Sequence, residues 1–192
     1  MKLGEAMERR PAGGFKIVHA DPAWSYENYS KKGTDKSAVQ HYDCMTIDDI
    51  QNLPVEALAA PDAVLFLWVT DPLLQEGLAT IEAWGFEYKT VAFTWIKHHE
   101  KTGAEFFGLG YFTRANPEMC LFATRGKPGR PKSKAVRQLL RAPIREHSRK
   151  PDEAIERIEA MYDGPAIELF ARTQRPGWQC WGNETDKFEV AA

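Results

Sequence analysis

The sequence predicts an α/β fold with a mostly parallel central sheet and helices on both faces. Three observations carry that prediction. Segments of strand character alternate with segments of helical period. The strand segments are nearly continuous apolar runs, AVLFLWV at 63–69 being the clearest, as expected for strands covered on both faces. Asp-Pro pairs at 21–22 and 71–72 directly follow two of these runs, marking sharp exits from the sheet.

The elements follow in order. Residues 1–14 read as a flexible, frayed tail ending in Gly13-Gly14, and residues 15–192 as one domain. FKIVHA at 15–20 is the first strand, and residues 25–45 are polar and loop-like. Thr46 with Asp49 three residues on is a capping-box start for a helix that Pro54 ends. Residues 63–69 form the next strand. Asp71-Pro72 then opens a helix that runs to Trp84 and stops at Gly85. Residues 87–97 are rich in β-branched and aromatic side chains and predict a strand. A Gly-rich loop spans 98–116, a strand 119–124 and a basic loop 125–134. A helix is expected at about 133–141. A stronger one starts at Pro151, with Asp152 and Glu153 in its first turn and Ile155, Ile158 and Tyr162 on one face. Two short strands, 167–170 and 178–181, finish the chain.

Composition narrows the classes. With 43% apolar residues the chain can build a core, and it contains no apolar stretch near the ~20 residues of a membrane helix. MKLGEAMERRPAGG lacks an apolar signal core, so a cytoplasmic protein is expected. Cys44, Cys120 and Cys180 lie far apart and read as reduced packing residues. His98 and His99 are adjacent and share no face, so no metal site is expected. Trp68, Trp84 and Trp95 fall in predicted elements and read as core. Charge is uneven. Residues 125–150 hold ten basic side chains and one acidic, leaving fifteen basic and twenty-six acidic elsewhere. An acidic body with one basic segment fits an enzyme that binds a polyanion; a solvated basic loop is the plainer alternative.

In sheets of this kind ligands bind beyond the carboxyl ends of strands, which directs attention to Asp21, Asp71, Arg125 and Arg172. Asp21-Pro22-Ala23-Trp24 is the sharpest of these sites. It suits methylation of an adenine amine. The lone pair of that nitrogen is delocalised into the ring, so hydrogen-bond acceptors for both amine hydrogens pull it toward tetrahedral geometry. An Asp side chain and the carbonyl of Pro22 are such acceptors, and proline fixes the turn. A Trp can stack on the flat base. An ordinary strand-end turn would use the same dipeptide.

Seven segments in order change that balance: ADPAW (20–24), HYDCMTIDDI (41–50), LFLWVTDP (65–72), TWIKHH (94–99), GLGYFTRANPEMCLFATRGKP (108–128), EHSRKPDEAIERIE (146–159) and ELFARTQRPGWQCWGNE (168–184). Together they resemble the MT-A70 adenine methyltransferases across residues 15–184, in the bacterial and phage form. Ala23 stands where that family has a second proline, a change that bears on rate more than on reaction type. No GxGxxG follows any strand, so a dinucleotide fingerprint is absent. The resemblance implies a Rossmann-like methyltransferase sheet of circularly permuted motif order, with S-adenosyl-L-methionine as cofactor.

It also implies roles. Asp21 and Pro22 would hold the adenine amine, with Trp24 shaping the base pocket and Tyr42 beside the base. Asp21, Lys150, Arg172, Asn183 and Glu184 would contact the cofactor. Lys150 would take its carboxylate, and Asn183 and Glu184 its ribose hydroxyls. Arg172 and Glu184 have an ion pair as their alternative role. Asn116 and Glu118 would line the substrate side, a strand-end turn being the alternative. Arg125, Lys127 and Arg130 would hold phosphates. The expected activity is methyl transfer to adenine N6 in DNA. RNA as substrate, or a non-catalytic nucleic-acid-binding subunit, are the alternatives. A monomer, a homodimer and a complex with a partner subunit all stay open.

Overall fold

The computed structural model describes residues 4–24, 45–146 and 148–188. Seven strands form one sheet: β1 (Phe15–Ala20), β2 (Ala59–Val69), β3 (Glu87–His98), β4 (Glu118–Arg125), β5 (Leu139–Pro143), β6 (Ala166–Leu169) and β7 (Trp178–Trp181). Their order across the sheet is β5-β3-β4-β2-β1-β6-β7. β1 pairs parallel with β2 and β6, β3 with β5, and β6 with β7. β4 is antiparallel to both neighbours, β2 and β3. Six strands therefore run one way and β4 alone runs against them. The chain builds outward to β2 on one side of β1 and to β6 on the other, so the carboxyl end of β1 is the crevice where such sheets bind ligands.

The described residues also form five α-helices: α1 (Gly4–Glu8), α2 (Ile47–Gln51), α3 (Val55–Leu58), α4 (Leu74–Ala83) and α5 (Glu153–Met161). Strand alternation divides the core between two faces. Leu65, Leu67 and Val69 of β2 join Ile50, Val55, Leu58, Ile81 and Trp84 on the face carrying α2–α4. Val64, Phe66 and Trp68 join Phe93, Trp95 and Ala154, Ile155 and Ile158 of α5 on the other. The Thr46 hydroxyl accepts the Asp49 amide at 3.1 Å, the expected N-cap of α2. A tight helical turn at Asp71–Leu73 leads into α4. Gly85, at φ +78°, ends it in the left-handed conformation that glycine adopts without strain.

One local expectation is corrected. The helix expected at about 133–141 is absent: residues 133–138 are irregular and Leu139–Pro143 form the edge strand β5. Leu140 and Ala142 are buried while Leu139 and Arg141 face outward, a period of two rather than 3.6. Arg157 on α5 donates to the carbonyls of Arg137 and Leu139 at 2.7 and 2.9 Å, taking acceptors a helix would have used. Before β1, Gly4–Glu8 is helical, Ala6 is buried, and its carbonyl accepts from Gln179 at 3.3 Å.

The three tryptophans are core, and each indole N–H has an acceptor: His19 for Trp68, the Ile50 carbonyl for Trp84 and the Ala142 carbonyl for Trp95. Cys120 and Cys180 are free thiols, and Cys44 lies outside the described residues. No helix among the described residues is long and apolar enough to cross a membrane.

Candidate active site

Asp21 leaves the end of β1 at the boundary of two adjoining cavities, and it lines both together with Ser148 and Lys150. The larger, about 330 Å³, is walled by the rings of Trp24, Trp68, Trp95 and Phe106. The smaller, about 40 Å³, lies between β1, β6 and the start of α5. It carries Arg149, Asp152, Glu168, Phe170, Arg172, Arg175 and Phe188.

Four charged groups cluster here, Asp21 and Lys150 lining both cavities and Glu118 and Lys97 the larger. The Lys150 ammonium is 2.8 Å from the Asp21 carboxylate and 3.2 Å from that of Glu118, and Lys97 is 2.5 Å from Glu118. Two carboxylates and two ammoniums leave this quartet formally neutral. Burial alone would push Glu118 up, but Lys150 and Lys97, by charge and by hydrogen bond, hold it down to about 2. Burial dominates at Asp21, whose pKa is raised despite Lys150; the neighbouring charge of Glu118 adds to the rise. Burial disfavours the Lys150 ammonium, yet Asp21 and Glu118 outweigh it and keep its pKa above the usual range. Asp21 is therefore an acceptor held in position by a permanent cation.

A second layer fixes the walls. Trp24 donates its indole N–H to the Trp68 carbonyl at 3.0 Å. Trp68 in turn donates to Nε2 of His19 at 2.9 Å, so the His19 proton sits on Nδ1, 3.5 Å from Glu168. Burial would raise Glu168, but His19 and Arg175 beside it hold its pKa below the usual range. Among the described residues, Ser148 and Phe170 are the non-glycine positions with positive φ, at 56° and 61°. Both line the smaller cavity, and backbone strain of this kind collects at functional sites.

Several expected site residues converge: Asp21, Pro22, Trp24, Glu118 and Lys150 all line the larger cavity. Glu118 reaches it because β4 runs backwards, so the amino end of that strand lies beside the carboxyl ends of the others. Arg172 lines the smaller cavity and pairs with Glu184 at 3.3 Å. Asn183 is exposed and follows β7 directly after Gly182, on the same rim.

Other expected residues are placed elsewhere. Asn116 does not line the cavity. Its amide accepts from the Lys97 backbone at 2.8 Å and donates to the carbonyls of Lys97 and Phe106 at 3.0 and 2.6 Å, clamping two residues that do. Arg125, Lys127 and Arg130 are not brought to the site. The reversal of β4 carries them to the opposite rim, where Arg125 pairs with Ala63 at the amino end of the apolar run of β2. There Arg125 bonds Glu56, the Lys127 amide bonds Asp62, and Arg130 lines a separate cavity of about 180 Å³ with Lys16 and Lys132. Tyr42 lies outside the described residues. Sequence reasoning missed Lys97, whose only signal was a cation at the end of a strand in TWIKHH.

The smaller cavity fits the donor chemistry of an amino-acid sulfonium. Lys150 suits its carboxylate and Asp21 its ammonium. Phe188 lies across this cleft, stacked 4.9 Å from the Arg149 guanidinium and 4.5 Å from that of Arg172.

The predominantly parallel α/β sheet, with its two adjoining cavities at the carboxyl edge, is that of a Rossmann-like methyltransferase. The MT-A70 family model matches residues 15–184, and the chain belongs to that family. Its methyl donor is S-adenosylmethionine. The chain is similar to the type II methyltransferase M.MunI of Mycoplasma sp, 33% identical over 98% of this chain and 86% of the relative. It is also similar to the N(6)-adenosine-methyltransferase catalytic subunit METTL3 of Homo sapiens. That match is 30% identical over 91% of this chain but only 29% of the relative's length. The MT-A70-like N(6)-adenosine-methyltransferase of Arabidopsis thaliana is 30% identical over 90% of the chain and 24% of the relative.

Proposed function

We propose that the protein methylates the exocyclic N6 amine of adenine in DNA. The observation that carries this reading is the position of Asp21, an acceptor at the junction of a base-sized aromatic cavity and the charged cleft. The adenine ring enters the larger cavity between aromatic faces, each such stack being worth about 1–3 kcal/mol. Asp21 accepts one amine hydrogen. The Pro22 carbonyl, which takes the Trp24 amide at 2.8 Å, keeps a lone pair for the other. S-adenosylmethionine supplies the methyl group as an electrophile. The carbon–sulfur bond breaks as the nitrogen–carbon bond forms, and the amine then gives a proton to water. Lys150 holds Asp21 in place throughout, and no protein nucleophile is used.

DNA is favoured because the match to the type II methyltransferase covers 98% of this chain and 86% of the relative, whereas the chain spans under a third of the curated adenosine methyltransferases. RNA is the second reading, supported by the 30% identity to METTL3. The test is transfer of labelled methyl to matched duplex DNA, single-stranded DNA and RNA, with Asp21→Ala alongside. Labelled N6-methyladenine in DNA, absent with the variant, is the expected result. Label in RNA alone would replace the substrate, and label retained by Asp21→Ala would remove the mechanism.

A further inference from the structure

The connection from β3 to β4 holds an apolar tip that the reaction described so far does not use. Its stem is pinned. Phe106 donates its amide to the Lys97 carbonyl at 3.1 Å, Asn116 bonds both residues, and Gly108 donates to Ala115 at 2.7 Å. Above the stem the chain turns sharply. A Cβ at Gly110 would lie 1.9 Å from the Thr113 carbonyl, so only glycine closes this turn. The turn presents Phe107, Leu109, Tyr111 and Phe112 at 66%, 63%, 48% and 102% exposure. Exposed apolar side chains clustered on a structured loop mark a binding surface rather than a packing accident. Between Phe106 and Pro117 the single charged side chain is a cation, Arg114. The foot of the stem, Lys97 and Phe106, is the wall of the base cavity.

We propose that this tip is a wedge that enters the base stack of a duplex beside the target adenine, with Phe112 as its leading ring. The proposal rests on the reading of the protein as a DNA adenine methyltransferase. An adenine inside a duplex cannot reach Asp21 until it leaves the stack, and extrusion costs the stacking and pairing of that base. An apolar ring inserted at the gap restores part of the lost stacking and stops the base from returning. Rigidity is needed for that task, and the Asn116 clamp supplies it. The absence of carboxylates on the tip lets it approach phosphates, with Arg114 at its flank.

The experiment compares wild type with Phe112→Ala on three oligonucleotides of one sequence: single-stranded, fully paired, and duplex with an abasic site opposite the target. The wedge predicts that Phe112→Ala keeps the wild-type rate on the single strand and on the abasic duplex. On the paired duplex it loses ~10-fold or more. Equal rates on the paired duplex, an equal loss on all three, or a wild type active on single strands alone would each overturn the wedge while leaving adenine methylation standing. A change in sedimentation between wild type and variant would also overturn it, by assigning the tip to a second copy of the chain. A second readout needs no turnover: a duplex carrying 2-aminopurine at the target should brighten on binding wild type and not on binding Phe112→Ala. Wild type that neither methylates nor brightens any substrate would remove both readings. Brightening without methylation would keep the wedge and remove the activity.

Discussion

The Lys150 ammonium lies 2.8 Å from the Asp21 carboxylate, joining the end of β1 to the approach to α5 across 129 residues of sequence. Both side chains are largely shielded, at 11% and 22% exposure. Removing one partner of such a pair strands the other charge. Lys150→Met is therefore expected to lower stability by about 3–5 kcal/mol, read as a fall in denaturant midpoint, because Asp21 and Glu118 both lose their shared cation. An unchanged midpoint would mean that water and Lys97 suffice to stabilise the two carboxylates.

Asp21→Asn keeps the shape of the acceptor and removes its charge. A loss of about 10²–10³-fold in kcat is expected, the scale of one preorganised group at a reacting centre, in a protein that still folds because Lys150 keeps Glu118 as a partner. Single-turnover methyl transfer measures it. A variant with normal kcat and raised KM would reassign Asp21 to binding alone.

Glu118 gives a pH dependence with a defined sign. Its folded pKa of about 2 lies below the ~4.3 of an unfolded carboxyl, so the unfolded chain binds more protons between those values. The stabilisation is complete above ~4.3 and is lost as pH falls toward about 2. Asp21 is shifted upward and contributes with the opposite sign. Urea titrations of wild type and Glu118→Gln across that window isolate the first effect: the variant should lose the slope that Glu118 supplies.

Asn116→Ala leaves the cavity lining intact in composition but releases the Lys97 and Phe106 backbones from their clamp. The expected cost is about 1 kcal/mol of stability, since the groups left unpaired are partly buried and water can reach some of them. Faster amide exchange at Lys97 and Phe106 should accompany it. Exchange unchanged at those two positions would show that the stem holds without the amide.

Arg130→Ala should leave methyl transfer to a short oligonucleotide unchanged, since Arg130 sits on the rim opposite Asp21. A loss greater than about twofold at low salt would show that substrate reaches around the sheet.

Much of this site is written locally. An acidic residue and a proline after an apolar run announced Asp21, and the alternation of apolar runs with helical periods announced the sheet. Lys150 was legible as part of SRKPDE and Glu118 as a residue of the substrate side, but their pairing was not, because contact across the sheet depends on strand direction. That same direction misplaced Arg125, Lys127 and Arg130: the rule that chemistry follows strand ends holds for parallel strands, and β4 reverses it. The first half of β5 was read into the end of a helix at 133–141 because the strand is short and its period-two burial becomes decisive only against the edge of β3. Lys97 shares this cause, since nothing beside it in sequence reveals the carboxylate it meets twenty-one residues later.

The reversed strand is also a ruler. From Glu118 to Arg125 the chain climbs eight residues, about 24 Å at ~3.4 Å per step. Successive phosphates along one DNA strand advance by ~3.4 Å as well, so the two rims are about seven nucleotides apart. A duplex much shorter than that, seated at Glu118, ends before it reaches Arg125. The length at which added base pairs stop improving binding therefore reads out whether the far rim is in use.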